Sequence, residues 1–223
     1  MAHLMKLELK KIHFLHYILI SAFLILLGMF FLFVALHDAS DRPRTFEDSF
    51  RTVQMIFSFV YVIFFAVLVS AVVISEYNNK TILLMFTYPL DKKKLILSKL
   101  LLITLFMAVS ILIGFVCCSL FIVDMDRRSD LIVGEFSSQI LRDWISAALG
   151  STIVFCCLGL WTFAAGMVKK SVTVTIVSSI VFIFFHQVVI TASENQQENV
   201  WTVLAAVIIS LAALQYTFAR KIT

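Results

Sequence analysis

The sequence is poor in charge, glycine and proline. Asp, Glu, Lys and Arg make up 14% of its 223 residues, whereas a soluble domain carries about a quarter. Six glycines and two prolines are too few for the turns of a β-barrel or for a disordered chain of biased composition. Hydrophobic residues make up 61%, and the mean hydropathy is +1.00. The composition therefore predicts an all-α protein that spans a membrane.

Motifs for catalysis and cofactor binding are also missing. The chain contains no G-x-x-x-x-G-K-[ST] stretch to cradle a nucleotide phosphate and no H-E-x-x-H zinc motif. We expect it not to be an enzyme, and we expect no metal site, no cofactor and no nucleic-acid partner. If ATP drives the process that this chain serves, hydrolysis takes place on another polypeptide.

Six segments are long and apolar enough to cross the roughly 30 Å hydrocarbon core, which takes about 20 residues of helix. None of them contains Asp, Glu, Lys or Arg. We predict a single transmembrane domain over residues 1–223, with spans at about 14–36, 53–74, 100–123, 145–168, 172–192 and 200–219.

Lysine and arginine define the orientation of these spans. They concentrate at the N-terminus, in the second and fourth connections and at the C-terminus, whereas most acidic residues fall in the other connections. The positive-inside rule counts the basic residues and places both termini in the cytoplasm. Trp144 and Trp201 then lie at outer helix ends, where aromatic residues are enriched.

The second connection, residues 75–94, is the long cytoplasmic one. Asn78 or Asn79 suits a helix start, and Pro89 ends the helix. Exposing its apolar residues 82–86 to water would be unfavourable unless they contact lipid or a partner protein. A short helix held at the membrane face suits docking in a partner's groove, and resting on lipid is the other interpretation. Asp91 then caps a helix that runs through the lysines into the third span.

This connection resembles the signature of ABC-2-type permeases, the membrane subunits of ATP-driven exporters. The residues that carry the resemblance are Ser75-Glu76-Tyr77, Lys80-Thr81, Leu83-Leu84, Thr87-Tyr88-Pro89, the following lysines and Ser98-Lys99. The chain is most similar to small bacterial permeases linked to bacitracin and lantibiotic export or immunity, and to those that expel phenol-soluble modulins. It differs from larger relatives in that Ser193–Asn199 leaves no room for re-entrant helices before the last span.

The resemblance implies that Lys80–Tyr88 is a coupling helix that docks into a cytoplasmic ABC ATPase, with Glu76 orienting it. The implied coupling residues are Glu76, Lys80, Thr81, Leu83, Leu84, Phe86 and Pro89. It also implies two ATPase copies carrying ATP and Mg²⁺, a second permease copy or close homologue, contact with membrane lipids, and a place in the bacterial plasma membrane.

The spans carry few polar groups. In the fifth span and at the residue just before it, five of them fall within roughly a 100° arc at 100° per residue: Ser171, Thr175, Ser178, Ser179 and His186. This strip either lines a translocation path or makes interhelical hydrogen bonds. In the fourth span, Ser146–Gly150 and Thr162–Gly166 have the small-xxx-small spacing that admits a second helix, from this chain or from another copy.

We therefore expect a permease that exports amphipathic peptides or lipid-like antimicrobial compounds. Two alternatives stay open at this point. One is an immunity protein that sequesters a peptide without transporting it. The other is an ion-coupled secondary transporter, although such proteins usually carry charged residues inside their spans.

Overall fold

The computed structural model describes residues 14–37, 45–75, 92–129, 138–192 and 200–220, and these ranges are almost entirely helical, without a strand. Five helices are long and apolar enough to cross a membrane, and a sixth has a shorter apolar stretch, Thr202–Thr217. The prediction of an all-helical, multi-pass membrane protein with about six helices is confirmed. The helices are α1 Phe14–His37, α2 Phe46–Val69 with a π-helical turn Ser70–Ile74, α3 Lys92–Ser129, α4 Ser138–Lys169, α5 Val172–Ala192 and α6 Val200–Arg220.

Three of the helices extend beyond the apolar segments that predicted them. α3 has 38 residues and α4 has 32, or about 57 and 48 Å at 1.5 Å per residue. At its outer end α3 continues through a charged turn in which Arg128 pairs with Asp124, one turn earlier, at 3.0 Å. The description of α3 starts at Lys92; Asp91 lies outside the described ranges, and its role as a cap stays a prediction.

α2 begins seven residues before the predicted span because a capping box starts it there. The Thr45 hydroxyl accepts a hydrogen bond from the Asp48 backbone N–H at 3.3 Å, and the Asp48 carboxylate accepts one from the Thr45 N–H at 3.3 Å. The two groups satisfy donors that the first turn of a helix leaves without intrahelical partners.

α2 and α4 form the centre of the bundle. α2 packs against α1, α3, α4 and α5, and α4 packs against α2, α3, α5 and α6. In the most apolar stretch of each helix, 67% of the residues are buried in α2 and α4, against 17% in α1 and α5. The large exposed side chains of α1 and α5, such as Phe23 and Phe185, therefore suit a lipid environment.

Aromatic side chains of α2 fill notches at glycines of its neighbours. The Phe57 ring lies between Gly28 of α1 and Gly114 of α3, where a Cβ atom would come within 3.0 and 2.7 Å of it. The Phe65 ring lies over Gly159 of α4 in the same way. These glycines let the helix backbones approach α2 closely.

Trp144 belongs to the packed core in the half of the bundle away from the predicted coupling segment. It is 7% exposed, its ring stacks on Phe50 with centroids 4.4 Å apart, and Phe115 meets it edge-on at 5.4 Å. The side chain is therefore buried among helices, although its position near a predicted outer helix end also suits an aromatic residue at the membrane interface. Its ring joins α2, α3 and α4.

Candidate functional site

The predicted coupling helix lies outside the described residues. The roles of Glu76, Lys80, Thr81, Leu83, Leu84, Phe86 and Pro89 therefore stay predictions. The structure does describe both helices that flank this connection. The π-helical turn of α2 leads into it through Ser75, and α3 leaves it at Lys92.

The π-helical turn is the first notable feature beside this connection. The backbone N–H of Ser75 donates to the carbonyl of Ser70, five residues earlier, which defines the wider π register. Such turns are rare and are frequently found at functional sites. This one contacts α3, α4 and α5, and the Ile74 side chain is 0% exposed. The last turn of α2 is thus held by three other helices.

A tight reversal between α4 and α5 completes this packing. Lys170 has a φ of 51°, in the left-handed region that non-glycine residues seldom occupy, and the Ser171 N–H donates to the Gly166 carbonyl at 3.3 Å. The reversal places Thr175 of α5 next to Gly166. A Cβ at Gly166 would meet the Thr175 hydroxyl oxygen and lie 2.6 Å from Ile74 Cδ1. We call Ile74, Gly166 and Thr175 the inner junction.

The Thr162–Gly166 spacing left open whether the helix that packs there belongs to this chain or to another copy. At Gly166 the notch is filled from within the same chain, by Thr175 and Ile74. Ser146, by contrast, is exposed on the surface of α4.

Lys99 is a buried residue whose burial the sequence did not indicate. We counted it with the basic flank that defines orientation, yet it is 3% exposed, next to Ser98 at 2%. A buried ammonium group is stable only with anionic or hydrogen-bonding partners. Its place in α3, which contacts the π-helical turn, makes it a candidate for a role near the predicted coupling segment.

The predicted polar strip of α5 faces the rest of the bundle. Thr175 and Ser179 are 0% exposed, and Ser171, Ser178 and His186 are half-buried. Three hydroxyls donate to carbonyls of α5 or of the residue just before it: Thr175 to Ser171 at 3.0 Å, Ser178 to Thr175 at 2.8 Å and Ser179 to Ile176 at 2.7 Å. The His186 ring lies edge-on to Phe155 of α4 at 6.0 Å. That these residues line a path stays a prediction.

A second polar cluster lies towards the helix ends that are predicted to face outwards, and the sequence analysis missed it. Gln54 of α2 donates through Nε2 to the Ser151 hydroxyl of α4 at 2.8 Å, and Gln187 of α5 donates to the Ser58 hydroxyl of α2 at 2.6 Å. We call these four residues the outer polar layer. Two glutamines inside apolar spans were the available signal, but a search for charged groups passes over them.

The inner junction and the outer polar layer connect the same three helices. Each brings together α2, α4 and α5, one at the end next to the predicted coupling segment and one near the opposite end.

Comparison with known proteins agrees with this architecture. A family model described as "ABC-2 family transporter protein" matches residues 4–186. The "Uncharacterized protein YcbO" of Bacillus subtilis (strain 168) is 31% identical over 188 residues, which cover 81% of each chain. No solved structure matches. The matched region includes the predicted coupling segment, the inner junction and most of the outer polar layer. The chain belongs to the ABC-2 transporter family and is a multi-pass membrane component of that kind of transporter.

Proposed function

We propose that the chain is the permease of an ATP-driven exporter whose ATP is hydrolysed on a separate cytoplasmic ATPase. The observation that carries this proposal is the family match together with the inner junction. α2 ends in a π-helical turn held by three helices directly before the segment that resembles a coupling helix. The absence of a phosphate-binding loop from the sequence agrees with hydrolysis on a partner.

In the proposed transporter, two permease chains dock on two ATPase copies that bind ATP and Mg²⁺. Residues Lys80–Tyr88 form the docking helix, and Leu83, Leu84 and Phe86 supply its apolar contacts. Movement of this helix reaches the spans through Ile74, because that side chain is packed at Gly166 and Thr175.

The proposed cargo is an amphipathic peptide or a similar lipid-like antimicrobial compound, moved out of the cell. What supports this choice is the set of side chains between the central helices, which is aromatic, aliphatic and hydroxyl-bearing, with amide groups in the outer polar layer. Such a lining suits solutes that carry both apolar and hydrogen-bonding groups.

Co-purification with the ATPase tests the coupling assignment. The tagged chain is co-expressed with each ABC ATPase of its host, and the double variant Leu83→Glu/Leu84→Glu is compared with Leu4→Glu/Leu7→Glu. The control pair places the same charges in another short apolar stretch beside lysines. We expect the first variant to lose the ATPase and the second to keep it, because buried carboxylates in a docking groove are strongly unfavourable. Retention of the ATPase by Leu83→Glu/Leu84→Glu would contradict the assignment.

A resistance assay distinguishes export of the peptide from its sequestration. Cells that express the permease with an ATPase lacking its phosphate-binding lysine should lose resistance to the exported peptide. Unchanged resistance would instead favour an immunity protein that binds the peptide without moving it.

A further inference from the structure

The outer polar layer has hydrogen-bonding capacity that the contacts between helices do not use. A glutamine amide offers two N–H donors and one carbonyl acceptor. In the described structure, one N–H of Gln54 and one of Gln187 are engaged. The two serines have no donor left, because Ser151 donates to the Ala147 carbonyl at 2.8 Å and Ser58 to the Met55 carbonyl at 2.7 Å. The remaining capacity therefore belongs to the two amides.

Both amides are partly exposed on helices that are apolar enough to span a membrane. Gln54 and Gln187 are half-buried, whereas the serines that they contact are 0% exposed. Gln54 lies eight residues into α2, or about 12 Å along the helix from its first residue. An amide turned towards hydrocarbon forfeits hydrogen bonds that water or protein would provide. These groups are consequently suited to a polar solute that passes between the helices.

Aromatic surfaces lie next to the amides. Phe50 lies one turn before Gln54 in α2, and its ring is buried in a stack on Trp144. Phe59, which follows Ser58, meets Phe184 of α5 edge-on at 6.4 Å. Amide groups near an exposed aromatic ring such as Phe184 match a chain that alternates backbone amides with apolar side chains.

We propose that Gln54 and Gln187 form a subsite for peptide backbone amides in the outer part of the bundle. Each carboxamide donates to a peptide carbonyl and accepts from a peptide N–H, so the subsite selects peptides over apolar solutes without an amide. This inference rests on the proposed function, since it names the chemical class of the cargo.

Binding to the permease alone, without any ATPase, tests the subsite separately from coupling. The probe is a radiolabelled leucine tetrapeptide with acetyl and amide termini, and its comparison is the analogue in which central amides are replaced by esters. Ester substitution removes N–H donors and weakens the acceptors while the apolar side chains stay the same. Equilibrium dialysis against the chain in lipid nanodiscs, with empty nanodiscs subtracted, gives the two affinities.

We expect the native chain to prefer the amide peptide by about tenfold, the ratio that a few intramembrane hydrogen bonds supply. The isosteric variant Gln54→Met/Gln187→Met should lose this preference. Gln215→Met, at an exposed position of α6, should retain it. Ser58→Ala/Ser151→Ala should also retain it, because that variant removes the contacts between helices and keeps both amides.

Two results would overturn the subsite. One is equal binding of the amide and ester probes to the native chain. The other is an equal loss of preference in the serine and glutamine variants, which would mean that the amides only hold the helices together. Failure of the Leu83→Glu/Leu84→Glu experiment concerns ATPase coupling and leaves these binding results unaffected, so the two proposals can fail separately.

Discussion

Gly166→Ala is the substitution expected to separate ATP hydrolysis from transport. The added Cβ would lie 2.6 Å from Ile74 Cδ1 and would also meet the Thr175 hydroxyl oxygen. Carbon atoms in contact are normally 3.5–4.0 Å apart, so Ile74 has to retreat by about 1 Å. Overpacking of this kind costs about 1–3 kcal/mol. Because Ile74 ends the π-helical turn that leads to the coupling segment, the displacement falls where α2 meets it.

A matched control separates this local effect from a general loss of stability. In Gly159→Ala, two turns earlier in α4, the added Cβ meets the Phe65 ring about 10 Å from Gly166 along the helix, so overpacking also occurs but outside the inner junction. The assay is peptide-stimulated ATPase activity and peptide uptake into inside-out vesicles, with the melting temperature of each variant measured in parallel. We expect both variants to melt earlier, and Gly166→Ala alone to lose uptake per ATP hydrolysed.

Relief of the overlap should restore coupling. Ile74→Val removes the Cδ1 atom and Thr175→Ala removes the hydroxyl, so the triple variant Gly166→Ala/Ile74→Val/Thr175→Ala should recover most of the uptake per ATP. If Gly166→Ala and Gly159→Ala lose uptake per ATP equally, or if Gly166→Ala has native coupling, the argument that the inner junction transmits movement is refuted.

Two further predictions concern Lys99 and the orientation of the chain. Lys99→Ala should lower the free energy of unfolding by at least 1–3 kcal/mol, because it removes a buried polar group from its partners, whereas Lys169→Ala, at an exposed position, should change it little; equal melting temperatures for the two variants would contradict this. In a variant without the four native cysteines, a membrane-impermeant thiol reagent added to intact cells should label Asp143→Cys and spare Lys169→Cys, and the reverse pattern would invert the predicted topology.

The helices were predictable because the length of an apolar segment reports the thickness of a bilayer. The ends of the helices were less predictable. Residues 46–52 and the charged turn at Asp124–Arg128 are helical through local capping and pairing, which a search for apolar segments does not detect. The Thr45-x-x-Asp48 pattern was present in the sequence and would have moved the start of α2 to its correct position.

The candidate sites were harder to predict because they depend on which side chains meet. Gly166 and Thr175 were both noted, one for its spacing in α4 and one for its polarity in α5, yet only the reversal at Lys170 brings them into contact with Ile74. Lys99 looks like any flanking lysine until packing of α3 buries it. Gln54 and Gln187 pair with serines far away along the chain, and no local pattern specifies those partners.

The length of α3 gives the molecule a mechanical property. This helix runs without a break from Lys92, beside the predicted coupling segment, to Ser129 at the opposite end. A continuous helix bends only gently unless proline or an inserted group interrupts it. A rod of about 57 Å that pivots about its midpoint by 10° moves each end by about 5 Å. A modest tilt started at the cytoplasmic end would thus arrive undiminished, and in the opposite direction, at the far surface of the membrane.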